Sequence, residues 1–162
     1  AVEAAMTGHL VFSTLHTKSA IGVISRLLEM GIEPFLLGAS LEAVLAQRLV
    51  RRIHEACKVN YKPTKSERAE LERYGLELEG PLKHGKGCDS CQGTGYKGRT
   101  GIHELFIVSK ETREMIARGA NEDEILIRAK QEGMPFLRED GLRKVLDGIT
   151  TLEEVYRVTV ET

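Results

Sequence analysis

Three cysteines and a histidine stand at spacings that metal chemistry uses. His54 and Cys57 have two residues between them, thirty residues follow, and Cys88 and Cys91 again have two between them. Zinc takes four soft or borderline ligands in a tetrahedron, and two intervening residues let a tight turn aim both side chains of a pair at one ion. The expectation is one structural zinc ion held by His54, Cys57, Cys88 and Cys91. Four protein ligands leave no open coordination position, so such a site holds a fold together rather than catalyses. The fourth ligand is the open point. His84, four residues before Cys88, rivals His54, with Asp89 or water as further options. Gly87, Gly93 and Gly95 flank the second pair and let backbone N–H groups turn toward the thiolates. A lone C-x-x-C also serves redox chemistry, but a third cysteine at ligand spacing favours metal. An odd count argues against a secreted disulfide framework, and clustered thiols suit a reducing compartment.

The elements around these residues follow from periodicity. Residues 2–6 read as the end of a helix stopped by Gly8. His9 to Leu15 (HLVFSTL) is apolar and β-branched and reads as a buried strand. A helix is expected from about Ser19 to Met30, with Ala20, Ile21, Val23, Ile24, Leu27 and Leu28 on one face and Gly31 as a left-handed cap. Pro34 suits the first position of a second helix, expected to run to about Gln47. Arg48 to Ile53 reads as a strand, Ser66 to Tyr74 as a short helix, and Gly101 to Val108 as another strand. Six glycines between 85 and 101 imply tight turns around the second cysteine pair. Helices are expected at about 110–118, 122–132 and 137–147, and a last one from Thr151, which with Glu154 has capping-box spacing.

Composition narrows the function classes. Apolar residues make up 41% of the 162 residues, enough for a real core, and charged residues 29%. The 23 Lys and Arg against 24 Asp and Glu give a net charge of -1, which disfavours a dedicated nucleic-acid binder. Arg48, Arg51 and Arg52 are the best local basic patch, and a salt-bridged edge is the simpler reading of them. No apolar run reaches the roughly 18 residues of a membrane span, and the opening residues lack the pattern of a signal peptide. The chain reads as cytoplasmic. It starts without Met on what looks like the tail of a helix, which is the expectation for a piece of a longer protein.

Four segments in order carry a family resemblance. Thr7 to Thr17 (TGHLVFSTLHT) resembles the "His box" of the ATPases of type II secretion and type IV pilus assembly. Residues 41–53 (LEAVLAQRLVRRI) resemble the stretch leading into that family's cysteine motif, and 95–106 (GYKGRTGIHELF) the stretch leaving it. Residues 133–159 (GMPFLREDGLRKVLDGITTLEEVYRVT) resemble its C-terminal end.

The resemblance implies an α/β fold: the C-terminal part of a RecA-like P-loop ATPase domain (1–53), an inserted small zinc-binding subdomain (54–98), and a return strand with a C-terminal helical bundle (99–162). It implies a cytoplasmic homo-hexamer, peripheral at the inner membrane through secretion or pilus platform proteins. That hexamer would use ATP and magnesium to drive assembly of a pilus or pseudopilus. His9 and His16 inherit a place near the nucleotide's phosphates, with His16 the better candidate for sensing the terminal one. The family usually has four cysteines in two C-x-x-C pairs, and here His54 stands in the first cysteine's place.

No G-x-x-x-x-G-K-[ST] loop occurs in these 162 residues, and that loop is what cradles phosphates with backbone N–H groups and a lysine. The chain alone is therefore expected neither to bind ATP tightly nor to hydrolyse it. Cys88 to Gly95 (CDSCQGTG) also fits the C-x-x-C-x-G-x-G unit of the zinc domain of Hsp40-type co-chaperones, which uses four such units where this chain has one. The competing function is a non-enzymatic zinc-binding module for protein interaction.

Overall fold

Glycine ends the helices where the pattern asks for it. A computed structural model of the chain describes residues 1–159. Helices α1 (Val2–Met6) and α2 (Gly22–Glu29) come first. Beyond α2 the chain turns through Gly31 at φ +86°. The Gly31 N–H donates to the Leu28 carbonyl and the Ile32 N–H to that of Leu27. These two bonds satisfy carbonyls that the helix end leaves open, and only glycine takes that φ without a Cβ penalty. Helix α3 (Pro34–Ser40) begins on proline as expected.

Strand β1 (Ala43–Ile53), β2 (Lys58–Tyr61), α4 (Lys65–Arg73), β3 (Leu82–Gly85) and β4 (Tyr96–Ile107) follow. The chain closes with α5 (Lys110–Ala117), α6 (Glu122–Gln131), α7 (Leu137–Leu146) and α8 (Leu152–Val158). Two one-turn 3₁₀ segments, Glu55–Cys57 and Asp89–Cys91, interrupt the middle. Strands β1 and β4 pair as one two-stranded sheet. Strands β2 and β3 form another, antiparallel, with Lys58 opposite Gly85 and Tyr61 opposite Leu82.

The chain divides into two compact units. The first holds Ala1–Ala46 and Glu104–Pro135. In it α2, α3, α5 and α6 pack together, with Ile21, Ile24, Leu37, Ile116 and Ile125 buried. Gly38 lets α3 approach α5 closely, since a Cβ there would sit 2.8 Å from the Arg113 carbonyl oxygen. The Arg113 guanidinium donates to the Gly38 carbonyl at 2.7 Å. The buried Glu104 carboxylate accepts the Ala20 N–H at 2.7 Å.

The second unit holds Gln47–His103 and the chain from Phe136. Its core joins Leu71 and Leu76 to Leu82 of β3, Leu142 and Val145 of α7, and Leu152 and Val155 of α8. Thr64 caps α4 in a reciprocal box with Glu67. The helices expected as one closing bundle are divided: α5 and α6 belong to the first unit, α7 and α8 to the second.

Three expectations need correction. Residues 9–15 form no strand, and Leu10 and Phe12 are 78% and 87% exposed rather than buried. An apolar run becomes a buried strand only when neighbouring strands accept its backbone bonds, and neither described sheet includes this run. The second helix stops at Ser40 rather than Gln47, because Leu41 is already extended and residues from Ala43 join β1. The Val108 N–H donates to the Glu42 carbonyl at 2.9 Å, a tertiary bond that outweighs the local helical preference of 41–47. The spacing of Thr151 and Glu154 yields only half a capping box. Thr151 accepts the Glu154 N–H, but the Glu154 carboxylate turns to Arg51 and Arg157 instead.

Candidate metal centre

Strand β1 ends at Ile53 and delivers His54, and the 3₁₀ turn after it brings Cys57 back alongside. The β2–β3 hairpin then returns the chain to the same place. Its register sets Lys58 opposite Gly85, and the Lys86 N–H donates to the Cys57 carbonyl at 2.9 Å. The second 3₁₀ turn lies between Cys88 and Cys91. Two tight turns, one from each side of the hairpin, therefore present two side chains each to one point.

The ligand atoms of His54, Cys57, Cys88 and Cys91 all lie within 4.8 Å of one another. His54 Nδ1 is 3.3 Å from Cys88 Sγ and 3.5 Å from Cys57 Sγ. Cys91 Sγ is 3.7 Å from Cys88 Sγ and 3.9 Å from Cys57 Sγ. A tetrahedral zinc ion, with Zn–S near 2.3 Å and Zn–N near 2.0–2.1 Å, sets S···S at about 3.8 Å and N···S at about 3.5 Å. The cluster thus has the dimensions of a tetrahedral metal site, and its donor set of three thiols and one imidazole is compatible with zinc. Among the described residues no other group of three or more His, Cys, Asp or Glu converges this way.

Backbone N–H groups surround the sulfurs. Cys91 Sγ accepts the N–H of Cys88 at 3.2 Å and of Gly95 at 3.3 Å. Burial opposes ionisation of this thiol, but the two N–H dipoles prevail and lower its pKa to about 6. Burial raises the pKa of Cys57 despite a bond from the Gly87 backbone, and the neighbouring thiols raise it further. A cation at the centre would favour the thiolate form of all three. Gly87 and Gly95 donate to sulfur as the sequence suggested, whereas the Gly93 N–H goes to the Cys88 carbonyl.

The rivals for the fourth position lie elsewhere. His84 packs edge-on against Tyr61, ring centroids 5.3 Å apart, and is not a member of the cluster. Asp89 is not a member either. His9 and His16 lie in the first unit, whereas the four cluster residues lie in the second. Both are exposed, and the His9 ring sits 3.0 Å from Thr7 Oγ1.

Sequence reasoning missed the carboxylate that holds the strand carrying His54. Glu154 of α8 is fully buried and accepts the Arg51 N–H at 2.7 Å. It also pairs with the Arg51 and Arg157 guanidinium groups, each at 2.8 Å. Burial works to raise its pKa, but the bonds from Arg157 and Arg51 dominate and hold it at about 2. The three-residue spacing to Arg157 was visible in the sequence. The partner 103 positions away was not. Of the arginines read as a basic patch, Arg51 belongs to this ion pair and lies over the Tyr96 ring at 4.2 Å.

The family described as "Type II/IV secretion system protein" matches residues 1–157. The type IV pilus assembly ATPase PilB of Thermus thermophilus is 54% identical over 99% of this chain and 18% of its own length. Type II secretion system protein E of Pseudomonas aeruginosa is 50% identical over 99% of this chain and 32% of its own. The type II secretion system ATPase E of Vibrio cholerae is 49% identical over the same shares. The chain thus spans about a third or less of these relatives. Among solved structures, the pilus retraction motor PilT with bound ADP matches at a TM-score of 0.63 and 21% identity, over 99% of this chain and 35% of that one. That likeness shows the fold alone, a RecA-like α/β architecture, and this chain carries the cysteine–histidine cluster within it.

Proposed function

The chain belongs to the type II/IV secretion system protein family, and we propose that it is the C-terminal part of an ATPase that powers type II protein secretion or type IV pilus assembly. The observation that carries this is a match of about 50% identity running the length of the chain to relatives named for those two systems. In this reading the complete protein is a homo-hexamer that binds ATP and magnesium through residues outside these 162. It works at the cytoplasmic face of the inner membrane by docking on platform proteins. No helix among the described residues is long and apolar enough to cross a membrane, which is consistent with attachment through partners.

In the same reading His9 and His16 lie near the nucleotide's phosphates and sense their state. His54, Cys57, Cys88 and Cys91 hold one zinc ion, whose spacing requirements the cluster meets. Bound there, zinc supplies a cross-link between the two ends of the hairpin rather than an open Lewis-acid position. The residues around it fix the ligand atoms: Gly87, Cys88 and Gly95 aim N–H groups at sulfur. The chain alone lacks the phosphate-cradling loop and does not turn over ATP.

The test uses the complete protein. Replacing His16 with Ala is expected to lower ATP turnover at least tenfold, a loss of about 1.4 kcal/mol in transition-state stabilisation, with an unchanged thermal midpoint. Wild-type turnover in both His9→Ala and His16→Ala proteins would remove the phosphate-sensing role. A complete protein without ATPase activity would remove the motor reading.

A further inference from the structure

Helix α8 and the strand that carries His54 are joined by a closed ring of polar contacts, all within the second unit. The Glu154 carboxylate accepts the Arg51 N–H and pairs with the Arg51 guanidinium. That guanidinium lies over the Tyr96 ring at 4.2 Å, and the Tyr96 hydroxyl is 2.8 Å from Thr151 Oγ1, at the start of the same helix. The segment just before α8 adds two bonds to β1. Thr150 Oγ1 donates to the Arg51 carbonyl at 2.8 Å, and the Ile53 N–H donates to the Ile149 carbonyl at 2.9 Å. Residues 149–154 thereby occupy the N–H and carbonyl of Arg51 and the N–H of Ile53.

The residue that follows β1 belongs to the metal cluster, and the residue that precedes β4, Gly95, is bonded to it. His54 follows Ile53, and its N–H donates to the Gly95 carbonyl at 2.9 Å. Gly95 precedes Tyr96 and donates its own N–H to Cys91 Sγ. Arg51 and Tyr96, the two residues held by α8, are thus three and one residues from the two backbone positions that orient His54 and Cys91. Thr150 and Glu154 are both completely buried, so the helix side of this ring is shielded from water, while the Arg51 side chain remains part-exposed. A buried carboxylate of this kind holds its geometry tightly, because a lost partner leaves a charge unpaired.

We propose that Glu154 is a positioning residue for the metal centre, and that α8 and the cysteine–histidine cluster form one coupled element in which metal occupancy and docking of α8 stabilise each other. This rests on the zinc reading of the cluster given above. Outer partners that orient ligands commonly change metal affinity by about 10–100-fold when removed. Glu154 acts one step further out, so the lower end of that range is the expectation. Linkage makes the effect reciprocal: if docked α8 raises zinc affinity, zinc raises the protection of α8 by the same factor.

The experiment is a zinc competition titration with a chromophoric chelator on the full chain, as wild type, Glu154→Gln and Ile116→Ala. Ile116 is a buried core residue of the first unit, outside the cluster in which α8 packs, and controls for a general loss of stability. Glu154→Gln is expected to weaken zinc about tenfold and to alter the thiolate-to-cobalt absorption of the cobalt-loaded chain. Ile116→Ala is expected to stay within about twofold of wild type. Equal affinities and cobalt spectra for wild type and Glu154→Gln overturn the coupling. Hydrogen exchange on the wild-type chain provides a second readout that does not depend on the variant's folding. Zinc removal should speed exchange in α8 about tenfold and leave α5 unchanged. Exchange in α8 that ignores zinc, or that rises equally in α5, overturns the coupling as well. A wild-type chain that takes up neither zinc nor cobalt overturns the metal reading itself, and the coupling with it.

Discussion

Gly85 and Gly95 pass so close that a Cβ added to Gly85 would lie 1.9 Å from the Gly95 carbonyl oxygen, and one added to Gly95 would lie 2.4 Å from that of Gly85. This contact brings the end of the β2–β3 hairpin against the chain leaving the second cysteine pair. Gly95 also stands at φ +76°, and its carbonyl and N–H serve His54 and Cys91. The sequence expected these glycines to shape turns. Their second role, letting two backbones touch, depends on a partner ten residues away.

Gly95→Ala should therefore be among the most damaging small substitutions in the chain. The left-handed backbone costs about 1 kcal/mol and the overlap about 1–3 kcal/mol more. Urea unfolding of the zinc-loaded protein is expected to show a midpoint lowered accordingly. An unchanged midpoint would mean that the close approach relaxes freely.

Cys88→Ser is expected to abolish stoichiometric zinc, measured by elemental mass spectrometry, against about one ion per chain in wild type. Proteolysis should then cut within residues 54–105 faster than in the wild-type protein. Retained zinc in the variant would remove Cys88 from the ligand set. His84→Ala should keep its zinc, since His84 packs on Tyr61 outside the cluster.

Stability should fall in acid through Glu154. Its pKa is depressed from 4.5 to about 2 in the folded chain, so the carboxylate binds a proton more readily when unfolded. Its contribution is fully present above the unfolded value and is lost as pH falls from about 4.5 through about 2. Unfolding free energies for wild type and Glu154→Gln, measured across that window, should converge as pH drops. Parallel curves would show that the ion pair with Arg51 and Arg157 contributes no pH dependence.

Phe12→Ser should change the stability of this chain by less than about 0.5 kcal/mol, because Phe12 is 87% exposed. A loss of the size typical of core aromatic truncation, about 3 kcal/mol or more, would restore the buried strand expected for residues 9–15.

The sequence by itself determined the local and chemical features. Helix starts at Thr64, Ser109 and Asn121 follow from their capping side chains, and the end of α2 from Gly31. These signals act within one turn of backbone, so neighbouring residues suffice to read them. The convergence of each cysteine or histidine pair was legible for the same reason, since each pair is set by two intervening residues. The family followed from the order of four segments.

The tertiary structure alone decided the rest. It placed His54, and not His84, as the fourth member of the cluster, because that depends on how β1 and the β2–β3 hairpin bring two distant turns together. It gave residues 43–47 to a strand, because β4 offers that strand a partner. It left residues 9–15 without a strand, since neither described sheet includes them. It turned Glu154 from an expected helix cap into a clamp on Arg51, a bond across 103 positions that no local pattern announces.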